Sequence, residues 1–178
     1  MRADEVFRDT FRSPQWGVEL VAPPDWQLSG QRSYPGILLF GSHKRGGRLN
    51  LAVQRVIPGE TLRFFSDRNS AALRKLGYTI VSTTPHRLGA LVVESATPDR
   101  ATRVRQAYLV QNGVGYVLTM AVPTDQVRFY VRAFEDLLRG MSFMTPTFAP
   151  VATIDAGPPP DGGIADAMPD PVDGGGLP

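Results

Sequence analysis

A chain of 178 residues, 42% apolar and 20% charged, is long enough for one ordinary globular domain with a core of its own. It contains no cysteine, which excludes disulfides, thiolate metal sites, a cysteine nucleophile and a lipidated cysteine within these residues. The net charge of +2 hides a split, since all 19 basic residues precede Pro146 while five of the 17 acids follow it, so the body carries +7.

Such a basic body with an acidic tail fits an anionic partner or a tail that folds back. Seventeen of the bases are arginine, however, which is also the signature of a GC-rich bacterial genome. No apolar run reaches the length of a membrane-spanning helix. The opening, MRADEVFRDTFRSPQW, lacks the apolar core of a signal peptide, so a cytoplasmic location is expected for the chain as written. A truncated or processed N-terminus would make the cell envelope the alternative.

In chain order, Glu5 to Phe11 reads as a short strand and Trp16 to Val21 as an alternating one, ended by Pro23-Pro24, with Asp25-Trp26 in a turn or extended stretch. Gly36 to Ser42 is a buried strand. His43 to Arg48 (HKRGGR) is a turn, and Arg48 to Ile57 alternates with Leu49, Leu51 and Val53 on one side. Thr61 opens a helix whose stripe is Leu62, Phe65, Asn69, Ala72, Leu73 and Leu76, closed by Gly77. Tyr78 to Thr84 and Leu88 to Ala96 follow as strands around a Pro85-His86-Arg87 turn.

Arg103 to Val122 is the clearest pattern. Two β-prone runs flank Asn112-Gly113, the pair that favours a type I′ hairpin. An amphipathic helix over Thr124 to Met141 comes next, with Thr124 as N-cap and Val127, Tyr130, Val131, Phe134, Leu137, Leu138 and Met141 facing the core. Ser142 to Met144 supplies a last edge strand. Strands joined by short turns, with the helices well separated, define an α+β class: an antiparallel sheet with two helices packed on it. The domain spans residues 4–145. Residues 146–178 are rich in proline, glycine and aspartate, bury too little to offset their ordering entropy, and are expected to be a disordered acidic tail.

No GxSxG, HExxH, Walker A or GxGxxG sequence occurs, and no calcium-loop spacing is found in the tail. His43 and His86 stand in predicted turns without ligand partners nearby, so both are expected to be surface histidines, and no metal or cofactor is expected. An enzyme would need one of them beside an acid in three dimensions. Lys44, Arg45 and Arg48, around Gly46-Gly47, form the densest basic cluster. They would bind an anion if the backbone amides were free, and otherwise are a solvated turn that keeps a strand edge soluble. Arg103 and Arg105 share a sheet face, expected to be a solvated outer one that a protein partner could equally use, and Tyr108 lies opposite, so the aromatic interleaving that nucleic-acid binding needs is absent. Phe64 and Phe129 fall off their helices' main stripes and are candidate exposed anchors for a partner.

The order of these features resembles the PsbP/Mog1/DcrB-like superfamily. A strand leads into Pro-x-x-Trp (Gly17 to Trp26), a helix follows Pro-Gly-Glu-Thr (Pro58 to Thr61), a Tyr-Leu-Val-x-Asn-Gly hairpin covers Tyr108 to Thr119, and the closing helix ends in Ser142-Phe143. The resemblance spans residues 5–145, and its specificity lies in the order of motifs that are each core and turn chemistry. It implies an antiparallel sheet with packed helices and a role in binding. Members include photosystem assembly subunits, a nuclear-transport cofactor, envelope lipoproteins and secretion-effector chaperones, with no shared catalytic signature. The chain departs from the lipoproteins in lacking their cysteine, and from the chaperones in its acidic tail. The function expected is a non-catalytic protein-binding module (adaptor, chaperone or assembly factor) acting through a sheet face or a helix–sheet groove. The alternative is a small-ligand or anion carrier using the basic turn.

Overall fold

The computed structural model describes residues 4–30 and 36–147. The tail expectation, from residue 148 onward, lies outside the described residues. Eleven strands and two α-helices are described, in two antiparallel sheets. The first strand run is broken in two, β1 (Glu5–Phe7) and β2 (Thr10–Ser13), because Arg8 takes a left-handed φ of 56° and turns the chain between them. These strands, β3 (Val18–Val21) and the terminal β11 (Met141–Phe143) make the small sheet, in the order β1-β2-β3-β11.

The large sheet begins with a strand that the expected pattern lacks, β4 (Trp26–Gly30). It continues through β5 (Ile37–His43) and β6 (Arg48–Arg55). Helix α1 (Leu62–Lys75) then leads to β7 (Thr79–His86), β8 (Ala90–Ala96), β9 (Thr102–Gln111) and β10 (Val114–Pro123). The order is β4-β5-β6-β10-β9-β8-β7. The β9–β10 hairpin sits at its centre, with Val114 opposite Gln111 and Pro123 opposite Thr102. Asn112 and Gly113 both have positive φ, 51° and 76°, as the expected turn requires. Strand β7 runs two residues beyond its expected end, through Pro85 and His86.

Both faces of the large sheet are covered. On one face Phe65 of α1 packs on Val93 and Tyr108, with Val110 and Val117 beside them. Thr61 caps α1 as expected, its hydroxyl accepting the Phe64 amide at 3.2 Å. The buried stripe differs, however. Phe65, Ser66 and Ser70 are inside, whereas Ala72 and Leu76 of the expected stripe are exposed. Small serines let the helix sit close, so the contact narrows to its first turns.

On the other face, helix α2 (Val127–Arg139) and the small sheet lie over Leu49, Leu51, Val92, Ala107, Leu109, Tyr116 and Leu118. Tyr130, Phe134, Leu137 and Leu138 are its buried residues, and Val131 of the expected stripe is exposed. The helix starts later than its sequence suggests. Thr124 gives its hydroxyl to the Arg100 carbonyl at 2.7 Å and its amide to Ala101 at 2.9 Å, so it anchors the β8–β9 turn and does not cap. A single 3-10 turn, Thr124–Gln126, intervenes. Past β11, Thr147 still belongs to the folded body, bonding the Pro14 carbonyl through its amide at 3.1 Å. Among the described residues no helix is long and apolar enough to cross a membrane.

Candidate functional site

The register of β8, β9 and β10 sets Glu94, Arg105 and Met120 side by side, and Arg103 beside Val122. Arg105 shares this face with Ala107 and Leu109, which is the face α2 covers. The expectation that Arg103 and Arg105 lie on a solvated outer face is therefore corrected. They are half-buried on the inner face, where α2's first turns rise off the sheet. Arg105 is accommodated there by two contacts. Its Nε approaches Glu94 Oε1 at 2.8 Å, and its guanidinium lies 5.0 Å from the Phe134 ring centre, a cation–π distance. Its Nη1 is buried and without a hydrogen-bond partner among the described residues.

The space under the start of α2 is a groove of about 370 Å³. Met120 and Val122 form its floor, Val127 and Val131 its helical wall, and Val81 its mouth at the edge strand β7. Val81 and Val131 are half open to solvent, at 51% and 46%. Arg103 and Arg128 line the same groove, and among the described residues neither has a carboxylate partner. Exposed apolar side chains beside unpaired arginines suit recognition better than core packing does.

On the far side of α2 lies the basic turn. Trp26, His43 and Tyr130 cluster there, with ring centres 5.4 to 6.0 Å apart. The Tyr130 hydroxyl accepts the Gly47 amide at 3.1 Å and stands 2.9 Å from His43 Nδ1. Because that nitrogen also accepts the Arg45 amide, the Tyr130 hydroxyl is the donor and the imidazole proton is on Nε2. The Gly46 amide returns to the His43 carbonyl at 2.9 Å. The amides of residues 45, 46 and 47 are thus all taken, the first two by His43 and the third by Tyr130 of α2. Lys44 pairs with Asp25 at 3.5 Å, and the Arg45 guanidinium lies 5.2 Å from the Phe129 ring. Arg48 lines one shallow depression with Asp25, His43, Lys44 and Gly46, and a neighbouring one with Gln27 and Asn50.

Phe64 and Phe129 are exposed, at 58% and 66%. They sit on helices that cover opposite faces of the large sheet, so the structure does not bring them into one patch. Phe129 lies beside the basic turn, lining a depression with Lys44 and Arg45.

Neither histidine is the surface residue its sequence context suggests. His43 is half-buried in the aromatic cluster. His86 has 13% of its side chain exposed and places Nε2 at 2.9 Å from Glu135 Oε2, joining the end of β7 to α2. Its Nδ1 accepts the Leu88 amide, which puts the ring proton on Nε2, directed at Glu135. Both nitrogens of this ring are engaged, one by the Glu135 carboxylate and the other by the Leu88 amide. The sequence could not reveal the pairing, which spans 49 residues. Among the described residues no cluster of three metal-ligating side chains exists.

The hydrogen bond from His86 is the main reason the Glu135 carboxyl is held below the usual carboxylate range, opposed by desolvation and helped by Arg105 and Arg139. A lowered folded value stabilises the fold above the unfolded value of about pH 4.3, and that contribution is lost as the pH falls through the folded value. Glu135→Gln should therefore be less stable than the parent near neutrality, by at most about 1 kcal/mol because solvent screens the pair, and the gap should close in acid. Urea unfolding of both proteins between about pH 7 and pH 3 checks this, and a gap independent of pH would refute it.

The sheets, the central hairpin and the two helices define an α+β protein with a groove beside its C-terminal helix. Comparison with solved structures places it more closely: the chain has the PsbP/Mog1-like fold. The solution structure of PsbP (CyanoP) from the cyanobacterium Synechocystis superimposes with a TM-score of 0.60 at 11% identity, covering 76% of this chain and 91% of that one. The crystal structure of the Ran-binding protein Mog1p from Saccharomyces cerevisiae gives 0.55 at 13% identity, covering 75% and 94%. No family model and no curated protein matches the sequence.

Proposed function

We propose that this chain is a non-catalytic protein-binding module that engages its partner through the groove between the large sheet and the start of α2. The observation that carries this reading is the groove itself, with Val81 and Val131 open to solvent and, at its side, Arg103 and Arg128 without a carboxylate partner among the described residues. Support comes from the yeast neighbour, whose fold belongs to a Ran-binding protein. The hydrogen bonds made by both His86 ring nitrogens and by the amides of residues 45–47 favour binding at the groove over chemistry at a histidine or anion capture at residues 43–48. An adaptor, chaperone or assembly role follows from that reading.

The test is co-purification from the native cells with the intact chain, its Val131→Glu variant, and a variant changed on the α1 face, Phe64→Ser. A stoichiometric partner held by the parent and by Phe64→Ser should fall by about tenfold or more with Val131→Glu, while far-UV circular dichroism stays unchanged. Val131 is already half exposed, so the substitution spares the core. A partner held equally by all three would overturn the groove as the site, and the absence of any partner would overturn the module reading.

A further inference from the structure

Resting on the groove as a binding surface, we infer that its occupant is a peptide segment in which a bulky apolar residue is flanked by carboxylates. Size comes first. At about 370 Å³ the groove is near the lower end of ligand pockets, room for one or two large side chains of a partner. Its apolar lining, Met120, Val122, Val127, Val131 and Val81, asks for an aliphatic or aromatic side chain.

Charge then narrows the class. Of the acids in the lining, Glu94 is neutralised by Arg105 at 2.8 Å, and Asp125 alone remains to offset Arg103 and Arg128. A lysine-bearing segment would meet two arginines with one carboxylate between them, whereas an acidic one meets guanidinium forks suited to bidentate pairing. The site is half enclosed, so such pairs are less screened than on open surface.

The experiment uses the full chain and a short fluorescein-labelled peptide, Gly-Ser-Glu-Glu-Leu-Phe-Glu-Asp-Leu-Gly-Ser, read by fluorescence anisotropy. Two comparison peptides replace every acid by lysine, or the leucines and phenylalanine by serine. The acidic, apolar peptide should bind, both comparison peptides should bind about tenfold or more weakly, and added salt should weaken the first. An Arg103→Glu/Arg128→Glu double variant should reverse the preference to the lysine peptide. Equal binding of acidic and lysine peptides, or an unchanged preference in the double variant, would overturn the inference. So would sodium octanoate displacing the peptide at a lower concentration than the unlabelled peptide itself, which would make the groove a site for amphiphiles. If the acidic peptide fails to bind while Val131→Glu still releases the native partner, this inference falls and the protein-binding module stands. If both fail, both fall.

Discussion

Gly115→Ala is expected to destabilise the protein by about 1–3 kcal/mol, the range for overpacking a filled core, although alanine suits a strand better than glycine does. Gly115 lies in β10, and a Cβ built on it would stand 2.5 Å from Phe65 Cζ and 2.7 Å from Cε2. The ring has nowhere to retreat. Phe65 is fully buried, meets Tyr108 edge to face at 5.9 Å, and carries the Arg68 guanidinium 5.8 Å from its centre. The added methyl must therefore lift α1 or tilt the ring out of its rotamer. A paired measurement isolates this cause. Phe65→Leu removes the tip of the ring, so it should cost about 1–2 kcal/mol alone and much less, or nothing, in the Gly115→Ala background. Gly113→Ala is the contrast: nothing lies within 4 Å of its Cβ, but its φ is +76°, so its cost of about 1 kcal/mol is backbone strain that no change at residue 65 relieves. Urea unfolding of the parent, the three single variants and the Gly115→Ala/Phe65→Leu double variant decides it, and strict additivity of Gly115→Ala with Phe65→Leu would sink the packing account.

That glycine illustrates where sequence reasoning stopped. Local chemistry was legible. Asn112-Gly113 sets the hairpin by its own φ values, Thr61 caps α1 through its own hydroxyl, and Gly77 closes the helix at φ +85°. The position of α1 over Gly115 was not legible, because nothing local distinguishes a glycine that admits a ring from one that bends a strand. Strand β4 was missed for a related reason. Pro23-Pro24 and the left-handed Asp25, at φ 72°, read as a loop, while the Trp26 and Leu28 alternation that follows is too short to stand out.

The candidate site was half legible. Arg103 and Arg105 stand out in the sequence, but the Arg-Val-Arg alternation reads as an outer face only when one face of a sheet is solvated. Here both faces are covered, and the arginines occupy the inner one because the Phe134 ring and Glu94 compensate Arg105. Glu94 and Phe134 lie 11 and 29 residues away in the chain, beyond any local pattern. The burial of the histidines is hidden from local sequence for the same reason, since Tyr130 and Glu135 reach them from α2.

Alkaline conditions should unfold this protein through its buried tyrosines. Tyr116 is fully buried in β10, packs at 4.9 Å on Phe143, and donates its hydroxyl to the Trp16 carbonyl at 2.6 Å. Burial pushes its phenol up to about 12. Tyr108, under α1, is raised further by the same cause. Unfolded tyrosine titrates near 10, so above that pH the unfolded chain releases protons that the folded chain retains. Stability from this source is complete below about pH 10 and is lost as the pH rises through the folded value. Tyr116→Phe separates the two roles of the hydroxyl. Near pH 8 the variant should be less stable by about 1 kcal/mol, for loss of the bond that ties the β2–β3 turn to the large sheet. Above about pH 11 the order should narrow or reverse, because phenylalanine has no proton to lose. Urea midpoints across that range, with tyrosinate absorbance to count ionised rings, give the comparison. Parallel pH curves for parent and variant would show that the Tyr116 hydroxyl keeps its proton no more tightly in the fold than in the unfolded chain.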